Sequence, residues 1–369
     1  MGFISFGLIN NNIIPIIIGC IFAFLSRLLF NYKDAKLFEH PIISNIVPLF
    51  LYFITIIPLK ILNNRVKKNN VNNEKNENNT KRKLIFKNIY QDIIKGKWKF
   101  IILASVIDFI QGVILIYSKE IKTNFWILDL IITCLFYYLI FKIRLYRHHY
   151  LSIILIILIG LSLDLVLENL QNDILNNWSL LSLRFVREIL ISLENVINKY
   201  IMEKKFCSVY ELCIYDGLIG IILLGILSIF NYFYLKIDDF EDYFKNFNII
   251  ELLVLLAVMI IQFGLYLCVL FINKNNSPCH IFIMLVFGQF AYYIDLQTNS
   301  ILIFISLFLI LFMSLIFNEI IEINFCGLEK NTKKNIMLRA QLEHFLIEEN
   351  KLIDDKEEDD ENTISIELD

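Results

Sequence analysis

The sequence predicts an all-α polytopic membrane protein of about ten transmembrane helices, arranged as two inverted five-helix repeats. Three observations lead there. The 369 residues are 57% hydrophobic with 32 Phe and 17 Tyr, more apolar sequence than a soluble domain of this size needs. Hydropathy divides that sequence into ten runs of about the ~20 residues a bilayer requires. Basic residues are concentrated in alternate connections, as expected when those connections stay on the cytosolic side.

The ten runs are 8–30, 41–62, 98–118, 124–143, 150–168, 178–202, 209–235, 249–272, 278–296 and 300–322. The N-terminus shows no basic region and no small-residue cleavage site, so the first run is expected to remain as an anchor. Pro15, Pro48 and Pro58 fall within proposed spans, where a missing N–H kinks a helix. The connection 63–97 holds ten Lys and Arg residues between Arg65 and Lys97, which makes it cytosolic. Lys142, Arg144 and Arg147, then Lys204 and Lys205, then Lys274, mark later cytosolic connections. The intervening loops are poor in positive charge, and 236–248 is dominated by Asp238, Asp239, Glu241 and Asp242. Both termini are therefore expected in the cytosol.

Five spans precede residue 170 and five follow it. An odd number per half turns the second half upside down relative to the first, the arrangement secondary transporters use to build a midplane site. Residues 1–170 form the first expected repeat and 171–325 the second, with an Asn/Lys/Glu low-complexity linker inside 63–97. Residues 326–369 form a cytosolic acidic tail, expected to be disordered. Glu348 to Ile353 has the look of an acidic dileucine signal, which would recruit a sorting adaptor.

The sixth span carries the strongest functional signal. Arg184, Arg187, Glu188, Glu194, Asn195, Asn198 and Lys199 interrupt it. At 3.6 residues per turn, all but Lys199 fall on one stripe, opposite Phe185, Val186, Ile189, Leu193 and Val196. A charge near the bilayer centre costs about 2.5–3.5 kcal/mol, so this stripe is expected to face protein or a water-filled cavity. The competing structural reading is an Arg184–Glu188 pair that satisfies itself, with Asn198 and Lys199 at the interface.

Other spans offer partners. Asp108 and Gln111 share a face of the third span, and Gly112 is expected to admit a neighbouring backbone. Asp129 fits an interfacial residue as well as a ligand, and Asp164 and Glu168 suit a solvated mouth. Tyr215 and Asp216 are expected either to gate the cytosolic side with Lys199 or Arg187, or to accompany a close glycine crossing. Gln289, Tyr292 and Tyr293 lie at helical spacing, and Pro278 suits a helix start. His148 and His149 have no third ligand at metal spacing in the sequence and read as interfacial. The seven cysteines show no paired spacing, so no metal, disulfide framework or other cofactor is expected. Nucleotide-binding, nucleophile-elbow and zinc-protease motifs are absent, which argues against an enzyme.

ENVINKYIMEKK (194–205) followed by SVYELCIYDGLIG (208–220) resembles the sixth-to-seventh span junction of solute carrier family 35 F-type proteins. They belong to the drug/metabolite transporter superfamily, with its EamA-type repeats. IDFIQG (107–112) is similar to that branch's third span, and SPCHIFIMLVFGQFAYY (277–293) to its ninth. Asn198 stands where that pattern has an acid, and Asp216 where it has Glu. The resemblance covers about residues 8–325 and implies a gradient-coupled exchanger or facilitator for a small organic metabolite.

The expected function is thus a secondary transporter working by alternating access. Arg184 and Arg187 would attract an anionic group, and Glu188 and Glu194 would hold them or exchange a proton. Asn198, Asp108, Gln111, Tyr215, Asp216, Gln289 and Tyr292 would line the path. Expected partners are a small-molecule substrate, the lipid bilayer and a second copy of the chain, with no nucleic acid. An endomembrane or vacuolar location is preferred to the plasma membrane. The alternative is a non-transporting scaffold or receptor-like protein that recruits partners through its tail.

Overall fold

The computed structural model describes residues 4–6, 13–31, 49–61, 80–117, 126–143, 145–168, 178–230, 233, 249–295 and 301–323, with four isolated positions beyond. Ten helices occupy these residues. They are α1 (Ile14–Asn31), α2 (Leu49–Ile61), α3 (Thr80–Tyr117), α4 (Trp126–Phe141) and α5 (Arg147–Glu168). Then come α6 (Trp178–Lys204), α7 (Val209–Phe230), α8 (Ile249–Asn275), α9 (Ile281–Asp295) and α10 (Ile301–Phe317). Each expected apolar run contains one helix. Pro48, the linker 63–79, the tail 343–369 and the side chains of Asp164 and Glu168 lie outside the described residues.

Helix ends follow local chemistry. Pro15 sits in the first turn of α1, where its missing N–H costs no intrahelical bond. Pro58 lies inside α2, and the turn before it, Phe53–Thr55, tightens to a 3-10 helix. Ser277, Pro278 and His280 build the capped 3-10 turn leading into α9, so His280 serves the helix start through Nδ1, which accepts the Ser277 N–H at 3.3 Å. Lys142, Phe206 and Glu319 take positive φ values (56°, 52° and 57°) just after α4, α6 and α10. After α6, the Cys207 N–H reaches back to the Ile201 carbonyl at 3.3 Å and closes a left-handed helix terminus.

Two features depart from expectation. α3 begins at Thr80, 18 residues before the anticipated span, because the basic segment 80–97 contains no proline and consists largely of residues that tolerate a helix. In addition, β1 (Ile4–Phe6) pairs antiparallel with β2 (Ile321–Ile323), Ile4 opposite Ile323, so the molecule is not purely helical.

Two helices, Val209–Phe230 and Leu256–Asn275 within α8, are long and apolar enough to cross a membrane. The outside of the bundle is apolar well beyond these two. Ile57, Leu158, Ile226, Leu253 and Phe308 are each more than half exposed. Inside, Ile101, Ile201, Leu212 and Leu270 join α3, α6, α7 and α8. A second cluster joins α4, α5, α9 and α10 through Leu130, Ile156, Phe282 and Leu307.

The packing has an internal regularity. Adding five to helix numbers one to five, and subtracting five from six to ten, carries several of the main contacts onto one another, though α6·α8 has no comparable α1·α3 counterpart among the described residues. The α1·α9 contact becomes α6·α4, α3·α6 becomes α8·α1, and α9·α10 becomes α4·α5. The pairs α2·α7, α5·α10 and α4·α9 map onto themselves. The partner of α3·α7 is α8·α2, where Tyr52 stacks on Tyr266 at 4.7 Å. At α2·α7, Gly217 lies where a Cβ would come within 2.8 Å of Tyr52 Cβ and 3.1 Å of the Leu49 carbonyl oxygen. Only glycine admits that crossing.

Candidate functional site

A polar seam runs along α6 inside this bundle. In its lower half, toward the α6 C-terminus, Glu194 is the hub. Its Oε2 accepts a hydrogen bond from Gln111 Nε2 of α3 at 2.8 Å, and its Oε1 accepts one from Asn198 Nδ2 at 3.1 Å. The Tyr266 hydroxyl of α8 donates to Asp216 of α7. Asp108, Glu194 and Asp216 lie within electrostatic reach of one another. Placing carboxylates in an apolar bundle costs several kcal/mol each, and the amide and phenol donors offset that cost. Asn195 accepts from Asn273 Nδ2 at 3.4 Å, which extends the seam to α8.

The upper half is basic. Arg184, Arg187 and Glu188 of α6 lie within electrostatic range of Arg27 of α1, an exposed side chain, and Arg184 and Arg27 within range of Tyr292 of α9. Arg27 stands over the Tyr292 ring, 5.9 Å from its centroid, within cation–π range. Its Cγ lies 3.6 Å from the Cβ position of Gly288, so that small residue leaves room for the arginine. Arg187 Nη1 donates to Glu188 Oε1 at 3.3 Å, while the buried Arg187 Nε has no hydrogen-bond partner among the described residues. Among the described residues, three guanidinium groups thus lie within electrostatic range of one carboxylate, and the buried Arg187 Nε has no partner.

The residues expected from sequence are gathered unevenly. Glu188, Glu194, Asn195 and Asn198 of the stripe are buried, while Phe185 and Val186 opposite are exposed. Further along α6 the apolar face is also enclosed, since Val196 and Ile197 pack inside, so α6 is central rather than peripheral. Gln289 is buried on α9. Tyr215 turns away from the seam and meets Trp98 edge-on at 4.4 Å. Lys199 is not an interfacial residue. Its Nζ donates to the Lys274 and Asn276 carbonyls at 3.2 and 2.8 Å, capping the end of α8. Among the described residues no contact joins Tyr215 or Asp216 to Lys199 or Arg187, whereas the alternative, a close glycine crossing, is present at Gly217.

Two further expectations are corrected. Among the described residues nothing approaches the Cβ position of Gly112 within 4 Å, so no described neighbouring backbone uses it. Asp129, in the first turn of α4, is enclosed by protein rather than solvated. It is 2% exposed and accepts from Ser192 Oγ at 2.5 Å, tying α4 to α6.

Sequence reading missed Arg27, although an arginine in the apolar stretch FLSRLLF was a visible signal. It also missed Glu319, which lies 3.2 Å from His148 Nε2 and supplies the absent third neighbour of the histidine pair. Burial, followed by the adjacent His148, lowers the His149 imidazole to about 4.

An apolar cleft of about 840 Å³ between α1, α9 and α10, walled by residues such as Ile17, Phe24, Phe287 and Phe308, is separate from the seam. Its walls carry no charged or amide side chain, so a polar ligand has nothing to bind there. A scan of family models and a search of curated proteins find no match to the chain.

Proposed function

We propose that this chain is a multi-pass membrane transporter that moves a small anionic metabolite by alternating access, with Arg27, Arg184 and Arg187 receiving the anionic group. The observation that carries the reading is the buried Arg187 Nε, which has no hydrogen-bond partner among the described residues and lies within electrostatic range of the exposed Arg27 and the half-buried Arg184, in a bundle with an apolar exterior. A buried charged donor left unpaired is costly, and a bound carboxylate or phosphate would complete it.

Several features support the reading. One helix lies in each of ten apolar runs. Several helix contacts recur under a shift of five helices, which supports a reading as two five-helix repeats. Groups expected at one level meet: Lys97 with Glu211, and His148 with Glu319, at cytosolic ends, and Arg27 with Tyr292 at the opposite ends. The likeness of the sixth-to-seventh span junction to solute carrier family 35 F-type proteins points the same way. Glu194 and Asp216 lie further along, where their hydrogen bonds hold the helices that carry the site.

The test is uptake of a pooled metabolite mixture into proteoliposomes, read by mass spectrometry, for wild type and Arg187→Ala. Accumulation of one anionic class, lost in the variant, is expected. Uptake unaffected by the substitution would overturn the site. No uptake under any imposed gradient would overturn the transporter reading and favour the scaffold. Removing residues 343–369 should leave flux intact.

A further inference from the structure

The start of α5 meets the turn after α10, away from the polar seam, and brings together two imidazoles and a carboxylate. His148 Nε2 lies 3.2 Å from Glu319 Oε1. The His148 and His149 rings are 4.0 Å apart between centroids, inclined by 37°. One ligand-type atom from each of the three residues falls within 4.8 Å of the others. His148 is 4% exposed, and its Nδ1 is buried without a hydrogen-bond partner. His149 and Glu319 are half-buried, which leaves the cluster an open side.

We propose that His148, His149 and Glu319 form a binding site for a divalent transition metal, with zinc the best match. Zinc binds imidazole nitrogen and carboxylate oxygen at about 2.0–2.2 Å, so two tetrahedral ligands lie about 3.3 Å apart. The His148–Glu319 separation already has that length. His149 Nδ1 now accepts the Tyr146 N–H at 3.0 Å. A rotation of the ring gives up this bond, frees a nitrogen for the metal and leaves the amide at a helix start, where water can replace it. Water on the open side completes four-fold coordination. Two imidazoles with one carboxylate favour zinc over magnesium or calcium, which prefer all-oxygen shells.

The site would have a mechanical consequence. His148 and His149 belong to α5, and Glu319 follows α10, the last helices of the two five-helix sets. α5 and α10 also pack on each other. A metal bound to both would hold these ends together and oppose any motion that parts them. Zinc would therefore stabilise one state of the bundle and slow its interconversion. This does not depend on the arginine cluster being a substrate site.

The test uses the purified full-length chain, freed of metal by chelation. Zinc is titrated against a chromophoric competitor for wild type, Glu319→Gln and His149→Ala. One zinc per chain is expected, with affinity at least about tenfold weaker in each variant, and a melting temperature that rises with zinc only in wild type. Matching elution of all three proteins in size exclusion establishes that they are folded. If Glu319→Gln elutes differently, His149→Ala decides. The cobalt(II)-loaded protein should lack the thiolate charge-transfer absorption of a cysteine site. Absence of zinc binding to wild type, unchanged affinity in the folded variants, thiolate absorption, or magnesium binding as tightly as zinc would each overturn the proposal.

Discussion

The two halves of the α6 seam are built on opposite principles. Around Glu194 and Asp216 the carboxylates are matched: Gln111 and Asn198 donate to one, and Tyr266 to the other. Around Arg187 the cations exceed the acids, and a buried donor stays unpaired. The network around the carboxylates holds four helices in place through these donors, while Asn198 Oδ1 and Asn273 Oδ1 stay without a partner among the described residues. A network one acceptor short is completed by an anion. One helix therefore carries a structural segment and a receptive segment, less than two turns apart.

Substitutions separate the two halves. The largest effect is expected for Arg187→Ala, which should reduce uptake by about 10–100-fold, the equivalent of the ~1.5–3 kcal/mol of a charged hydrogen bond. Its melting temperature should hold. Glu194→Ala should act on stability instead, since it strands the Gln111 and Asn198 amides, at about 1–3 kcal/mol for each donor left unmet. Chemical denaturation of the purified protein measures this, and Glu194→Gln should recover part of the loss. Tyr266→Phe removes a single donor to Asp216 and should cost about 1–3 kcal/mol in the same assay. The smallest change is expected for Glu188→Gln. Relieving the one carboxylate among three guanidinium groups should lower the KM for an anionic substrate a few-fold, equivalent to about 0.5–1 kcal/mol.

The polar stripe of α6 was legible in the sequence because helical periodicity alone places Glu188, Glu194 and Asn198 on one face. Hydropathy likewise located all ten helices. What crossed between helices was less accessible. Arg27 sits in an apolar run whose single charge resembles an end-of-span residue until α1 is packed against α9. Glu319 lies 171 residues from His148, and no spacing rule joins them. Asp129 reads as a helix-end acid until Ser192 of α6 is seen beside it. Gly217 and Gly112 look alike in sequence, yet only Gly217 meets a neighbouring backbone. Periodicity fixes the face of a helix, whereas the identity of the facing helix depends on tertiary packing.

The central claim is that the arginine half of the seam serves a ligand and the glutamate half serves the fold. The most direct measurement pairs proteoliposome uptake with thermal unfolding for Arg187→Ala and Glu194→Ala, side by side. The account predicts that Arg187→Ala loses flux at an unchanged melting temperature, while Glu194→Ala melts distinctly lower than wild type. A lower melting temperature for Arg187→Ala, with Glu194→Ala left as stable as wild type, would contradict it.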